Sequence, residues 1–266
     1  METIKNLISL SKKKILITGA TGGIGEAICF ALAELGGDLV LVDKPGSNFD
    51  KLVDFVMKNW NVSIDCIECD LESERRRCEM IDYVIKHHNS LDVLINNAAF
   101  VGESNLKGWV EPFEKQTLET WRRAIEVNLT APFHLSQAFF PLLKKGNNSS
   151  IINISSIYGI RAPDYSLYTN TKMGNPSAYS SSKGGLIQLT RWLSTTVAPE
   201  VRVNAISPGG VWRNQPKEFT DRYISKTPLK RMATEDDLKG AIIFLASDLS
   251  AYMTGQNLVV DGGWSV

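Results

Sequence analysis

Short, continuously apolar runs alternate with longer amphipathic ones along almost the whole chain. "KILITGA" (14–20), "DLVLVD" (38–43), "IDCIECD" (64–70), "DVLINNAA" (92–99), "SIINISS" (150–156), "VRVNAIS" (201–207) and "QNLVVDGG" (256–263) have the length and β-branched content of buried strands. The stretches 24–37, 48–60, 73–88, 117–145, 176–198 and 235–247 carry helical patterning. Strands apolar on both faces and separated by helices imply a parallel sheet covered on both sides. Right-handed crossovers then give an α/β fold with a Rossmann-type, doubly wound sheet of about seven strands. No repeat or linker divides residues 1–266, so a single domain is expected, with a polar lead-in at 1–13.

Composition removes several function classes. Hydrophobic residues make up 43%, enough for a large core, and 29 basic residues balance 29 acidic ones. A neutral chain is not suited to nucleic acid or to an acidic membrane, and no apolar run is long enough to span a bilayer. The first residues lack the pattern of a secretory signal, and the expected location is cytoplasmic. Cys66 and Cys69 form a C-x-x-C inside a strand-like run, without the second pair or the histidines that a zinc site needs. They are expected to be reduced, structural thiols, and no metal is expected.

"TGATGGIG" (18–25) joins the first strand to the first long helix. Gly19, Gly23 and Gly25, with Thr21, Gly22 and Ile24 between them, make a turn without bulky side chains at a helix N-terminus. Such a turn lets backbone amides approach a pyrophosphate. Asp43 ends the second strand, where a carboxylate can accept from ribose hydroxyls and repel a 2′-phosphate. That favours NAD over NADP, although Lys44 follows directly and softens the repulsion. Asp70, followed by Leu71, ends the third strand run and is a candidate for the adenine amino group.

A second motif occurs twice. Tyr168 precedes Lys172 by four residues, and Tyr179 precedes Lys183 by four. On a helix this spacing puts a phenol and an ammonium on one face. A nearby cation favours the phenolate, so either pair could serve as an acid–base catalyst. Gly174 and Pro176 would break a helix begun at Tyr168. Asn175 and Pro176 instead read as an N-cap and first helical residue, and Leu186, Leu189, Leu193 and Val197 continue an apolar stripe beyond them. Tyr179 and Lys183 are therefore the favoured pair.

"TGATGGIG", "NNAA" (96–99), "VNLTAPF" (127–133), "INISSIYG" (152–159), "YSSSK" (179–183), "RVNAISPGGV" (202–211) and "VDGG" (260–263) fall in one order. Together they resemble the short-chain dehydrogenase/reductase family, from about residue 12 to the C-terminus. The resemblance implies an NAD-dependent oxidoreductase that is a homotetramer or homodimer. It implies that Asn128 holds a catalytic water, that Ser156 (with Ser155 as fallback) binds the substrate oxygen, that Tyr179 is the acid–base group and that Lys183 binds the nicotinamide ribose. Asn97, Ala98 and Ala99 would line the cofactor, as would Pro208, Gly209 and Val211. The family usually has a threonine four residues after the glycine of its Pro-Gly. Here that position is Arg213. The gap from Ser156 to Tyr168 is near the usual family spacing, so Tyr179 requires an inserted loop over roughly 160–176.

That insertion is polar, and residues 209–234 correspond to the family's lid. From Trp212 to Arg231 six cations face two anions. Both features favour a polar, sugar-like substrate, and the wording around Tyr179 also resembles members linked to flagellin or surface-sugar modification. A 3-oxoacyl-thioester reductase is the rival enzyme. A non-catalytic nucleotide-binding regulator on the same fold is the rival of another class.

Overall fold

In a computed structural model, which describes residues 2–101 and 106–266, all seven apolar runs are strands of one parallel sheet. Met1 of the lead-in lies outside the described residues. The strands are β1 (Lys14–Thr18), β2 (Asp38–Asp43), β3 (Ile64–Glu68), β4 (Val93–Asn96), β5 (Ser149–Ile154), β6 (Val201–Pro208) and β7 (Asn257–Val260), in the order β3-β2-β1-β4-β5-β6-β7. The order reverses between β1 and β4, which makes the crevice beyond their C-terminal ends the switch point of the sheet.

Side-chain alternation along each strand builds two cores. Ile15, Ile17, Leu39 and Leu41 face one side, where they meet α2 (Gly23–Glu34), α3 (Asp50–Asn59) and α9 (Asp236–Ala246) through Ile28, Leu32, Leu52, Val56, Ile242 and Leu245. Leu16, Val40 and Val42 face the other. There they pack on α4 (Glu74–His87), α6 (Ala131–Leu143) and α7 (Ser177–Thr196). Cys66 and Cys69, three apart, have their side chains on opposite faces of the third strand run. Cys69 belongs to the second core, and burial raises both thiols to about 11. Among the described residues no group of His, Cys, Asp and Glu is arranged to hold a metal, and no helix is long and apolar enough to cross a membrane.

β2 matches its apolar run and β6 passes the end of its own by one residue, whereas the other five strands stop short at the C-terminal end. β3 stops at Glu68, β4 at Asn96, β5 at Ile154 and β7 at Val260. Two helices were not legible in the sequence, α1 (Ile4–Ile8) in the polar lead-in and α8 (Lys217–Lys226) in the segment read as loop. The lead-in also buries Leu10 completely.

The helix expected over 117–145 is divided. α5 (Leu118–Ile125) passes through a π turn at Glu126–Thr130 into α6, with Ala131 N bonding back to Glu126 O. The turn is held from two sides. Arg77 of α4, buried, pairs with Glu126 at 2.6 Å and donates to Leu71 O and to His134 Nδ1. Asn128 is clamped to Phe100 and Ser182. A buried guanidinium with three partners leaves unpaired acceptors when it is removed. The variant Arg77→Ala is expected to lose about 3 kcal/mol of unfolding free energy, read from urea titrations; a change below about 1 kcal/mol would show that the pair does not hold the turn.

Candidate active site

The end of β5 and the start of α7 hold the candidate residues Ser156, Tyr179 and Lys183. Ser177 begins α7, and Pro176 is the cap, with no side-chain bond of its own. The expected cap Asn175 instead accepts from Ser180 Oγ at 2.8 Å. The first free amide of the helix is met from a distance, since Gln116 Oε1 accepts from Ser177 N and from Ser177 Oγ. Tyr179 and Lys183 follow in the first two turns, and Lys183 Nζ lies 5.9 Å from the Tyr179 ring centre.

Two contacts fix α7 against β5. Lys183 Nζ donates to Ile154 O at 2.7 Å, and Ser155 Oγ donates to Lys183 O at 2.9 Å. Gly159 permits this approach, because a Cβ there would lie 2.8 Å from the Lys183 carbonyl. The two candidate serines are thereby separated. Ser155 is committed to the helix, while Ser156 Oγ accepts from Tyr158 N and keeps its own hydrogen available.

Tyr168 lies elsewhere. It ends a short 3-10 turn, Lys172 is exposed, and the two are not on one helix. The Tyr168 and Tyr158 hydroxyls are bonded to each other at 2.6 Å. Burial holds both phenols above their ordinary range, Tyr158 far above it.

Burial works against ionisation of the favoured pair. Burial raises Tyr179, and only the neighbouring Ser156 hydroxyl and the charge of Arg213 oppose the rise. Burial also pushes the Lys183 ammonium down to about 8. Without a bound dinucleotide the tyrosine is therefore a protonated phenol, and the lysine is not a permanent cation. Asn128 is fixed through its side-chain amide. Its Oδ1 accepts from Phe100 N at 2.6 Å, and its Nδ2 donates to Phe100 O and Ser182 Oγ, so its amide binds protein groups.

The nucleotide half is built at the switch point. Thr18 Oγ1 accepts from Asn97 N and Ala98 N, and Asn97 Nδ2 donates to Thr18 O and Gly19 O. Gly19 has φ +66°, and a Cβ on it would lie 2.8 Å from Ala98 Cα. At Gly25 a Cβ would come within 2.0 Å of Gly19 O, which no side chain could tolerate. The turn through Thr21, Gly22, Gly23 and Ile24 thus brings the N-terminus of α2 against the ends of β1 and β4. Asp43 closes the site at the end of β2, its Oδ2 accepting from Thr21 N and Thr21 Oγ1, each at 2.8 Å. Asp70 turns its Oδ1 back onto Glu72 N, Leu71 is buried, and Ala99 precedes the clamped Phe100. Pro208 ends β6, Gly209 N donates to Val260 O, and Val211 bridges to Ala233. A glycine cradle at a helix N-terminus, with a carboxylate at the neighbouring strand end, suits a dinucleotide.

The family model described as enoyl-(acyl carrier protein) reductase matches residues 19–265. The chain belongs to the short-chain dehydrogenase/reductase family. It is 31% identical to the 3-oxoacyl-[acyl-carrier-protein] reductase FabG of Thermotoga maritima, over 96% of this chain and 98% of that one. It is 30% identical to post-translational flagellin modification protein A of Campylobacter coli, over 97% and 100%. A short-chain dehydrogenase from Leptospira borgpetersenii, crystallised with bound NAD+, superposes with a TM-score of 0.84 at 32% identity, covering 100% of this chain and 97% of that one. This chain is accordingly an oxidoreductase of the nicotinamide-dependent kind.

The segment 209–234 corrects the expectation drawn from its charge. Each of its cations already has a partner: Arg213 pairs with Glu235, Lys217 with Asp221, Lys226 with Asp164 and Arg231 with Asp237. Arg222 donates to the carbonyls of Leu167 and Thr169, and Lys230 to that of Ser225. Arg222 and Lys226 fasten α8 to the 160–176 insertion, and the six partnered cations do not form an open anion site. Leu167, Phe219, Tyr223 and Met232 fill the seam, with Tyr168 and Trp264 against them. Sequence reasoning missed Thr18, Ser182, Tyr158, Tyr223 and Glu235 around the site. Thr18 sits in the glycine motif itself and could have been found; the others depend on contacts between distant segments.

The buried ammonium has a measurable consequence. An unfolded lysine keeps its proton to about 10.4, whereas Lys183 releases it near 8. Between those values the unfolded chain binds more protons, so this residue makes stability rise with pH. Relative to the wild type, Lys183→Met is expected to lose on the order of 1 kcal/mol of that rise per pH unit between about pH 8 and 10. Urea midpoints at several pH values would check it, since the cysteines and other tyrosines titrate in both proteins. Parallel curves would sink it.

Proposed function

We propose that the chain interconverts a secondary alcohol and a ketone with NAD(H), on a polar, sugar-like substrate. The observation that carries the oxidoreductase chemistry is the set of Ser156, Tyr179 and Lys183, drawn together by the bonds between β5 and α7. The dinucleotide, when bound, supplies the hydride chemistry. Ser156 has a hydrogen to donate and holds the substrate oxygen. Tyr179 exchanges a proton with that oxygen, accepting it from an alcohol and returning it to a forming alcohol. Lys183 is fixed by Ile154 O, has further N–H groups to offer a ribose, and contributes positive charge near the phenol. Asn128 acts as a positioning residue, tying the strand end at Phe100 to Ser182 of α7. Residues 209–234 act as a lid over the substrate, and the remainder forms one cofactor-binding and catalytic domain.

Asp43 supports NAD over NADP, because its carboxylate is held rigidly by Thr21 at the end of β2. A 2′-phosphate would meet that fixed charge, with only the exposed Lys44 to offset it. The sugar-like reading is supported by the similarity to flagellin modification protein A and by the hydroxyl pair that Tyr158, after β5, makes with Tyr168 of the insertion. The similarity to FabG keeps a 3-oxoacyl thioester as the competing substrate. Exposed Leu118, Trp121, Phe133 and Trp192 on α5, α6 and α7 support assembly into a homodimer or homotetramer. The assignment to the cytoplasm follows from the same reading.

The test is a substrate panel of sugar phosphates, nucleotide sugars and 3-oxoacyl thioesters with NAD+, NADH and their phosphorylated forms, read at the reduced-nicotinamide absorbance. Turnover of a sugar with NAD(H) is the expected result; thioester reduction with no sugar oxidised would refute the substrate assignment. Tyr179→Phe should lower kcat by about 10²- to 10⁴-fold, the usual worth of a general acid–base group, while NADH still binds. Tyr168→Phe, which loses one hydroxyl contact, should cost less than about tenfold. The reverse ranking would transfer the acid–base role to the first tyrosine.

A further inference from the structure

The space in front of the glycine turn is filled by two side chains of opposite charge. A Cβ on Gly23 would lie 2.9 Å from Glu235 Oε1 and 3.2 Å from a terminal Arg213 nitrogen. Arg213 Nε and Glu235 Oε1 are 3.3 Å apart, and Arg213 is half-exposed. Gly23 opens α2, and the first amide to bond back along the helix is Glu26 N, to Gly22 O. The amides of Gly23, Ile24 and Gly25 therefore precede the first full turn, at the end of the helix that attracts an anion. The Glu235 carboxylate lies beside this turn, at the place of a Gly23 β-carbon. The charge of Arg213 is also felt at the Tyr179 hydroxyl. The guanidinium beside the glycine turn thus stands at the position where the family usually has a threonine.

We propose that Arg213 and Glu235 form a latch at the diphosphate site, in which the Glu235 carboxylate occupies the anion position of the free protein and is exchanged for the dinucleotide diphosphate, with Arg213 as the shared partner. This rests on the dinucleotide reading above. A carboxylate and a diphosphate cannot both sit against one helix end and one guanidinium without repulsion. Binding therefore releases Glu235, which lies just before α9, and keeps Arg213, which belongs to the lid segment. The lid is then held by the cofactor instead of by the protein.

The test is the affinity of NADH, ADP-ribose and adenosine for the wild type, Arg213→Ala, Glu235→Gln and the double variant, by calorimetry and nicotinamide fluorescence. Arg213→Ala should weaken NADH and ADP-ribose by about tenfold or more and leave adenosine, which has no phosphate, unchanged. Glu235→Gln should tighten both diphosphate ligands, and that gain should vanish in the double variant. Unchanged ADP-ribose binding in Arg213→Ala, or weaker binding in Glu235→Gln, would overturn the latch. A wild type that binds neither NADH nor ADP-ribose would instead overturn the dinucleotide reading, and the latch with it. Thermal melts of the four proteins separate a folding loss from a binding loss.

Discussion

Two hydrogen bonds tie the end of β5 to the second turn of α7, and the geometry of the acid–base half follows from them. Lys183 reaches back to Ile154 O, and Ser155 reaches across to Lys183 O. Because both partners are buried, neither bond competes with water. Ser156 is the next residue after the tied one, so its side chain is left to the site. Tyr179 is one turn before the tied lysine, so its ring is presented on the same side. Gly159 is required for this approach because the backbone of α7 occupies the place of a β-carbon.

The same burial that fixes these groups opposes their ionisation. It raises Tyr179 and lowers Lys183, so a phenol and an ammonium one helical turn apart are not by themselves an activated pair. Desolvation outweighs the attraction expected from spacing alone. The charge that works in the opposite direction at Tyr179 is Arg213, which lies in the lid segment and not on α7. The electrostatics of the acid–base group are thus connected to a residue that also lies over the glycine turn.

The insertion and α8 stabilise each other through apolar packing capped by charge. Leu167 is wholly buried against Phe219 and Tyr223, and around this seam Lys226 meets Asp164 while Arg222 meets the carbonyls of Leu167 and Thr169. Asp164 is held at about 2, chiefly by the Lys226 ammonium. Tyr168 gains its place in this cover from Tyr158, whose hydroxyl it bonds, and not from Lys172. The charge of Arg222 and Lys226 therefore has a structural use, and it says nothing of the polarity of the substrate.

The sequence by itself determined the seven strands, their parallel arrangement and the glycine turn. Continuous β-branched runs can be satisfied only by a sheet buried on both faces, and Gly19 and Gly25 stand where no β-carbon fits. It also put Tyr179 and Lys183, and not Tyr168 and Lys172, on one helix, because Gly174 and Pro176 end one helix possibility and precede another. Strand ends were over-read at β3, β4, β5 and β7, since the residues that leave the sheet to form the site, such as Ala98 and Ser156, are small and resemble strand. Only the tertiary structure decided how α7 is capped, what Asn128 binds and where the lid cations go. Gln116, Phe100, Asp164 and Glu235 are far away in the chain from the groups they meet, and no local pattern encodes such contacts. Burial, which sets the proton affinities of Tyr179 and Lys183, is likewise a property of the packed molecule and not of their spacing.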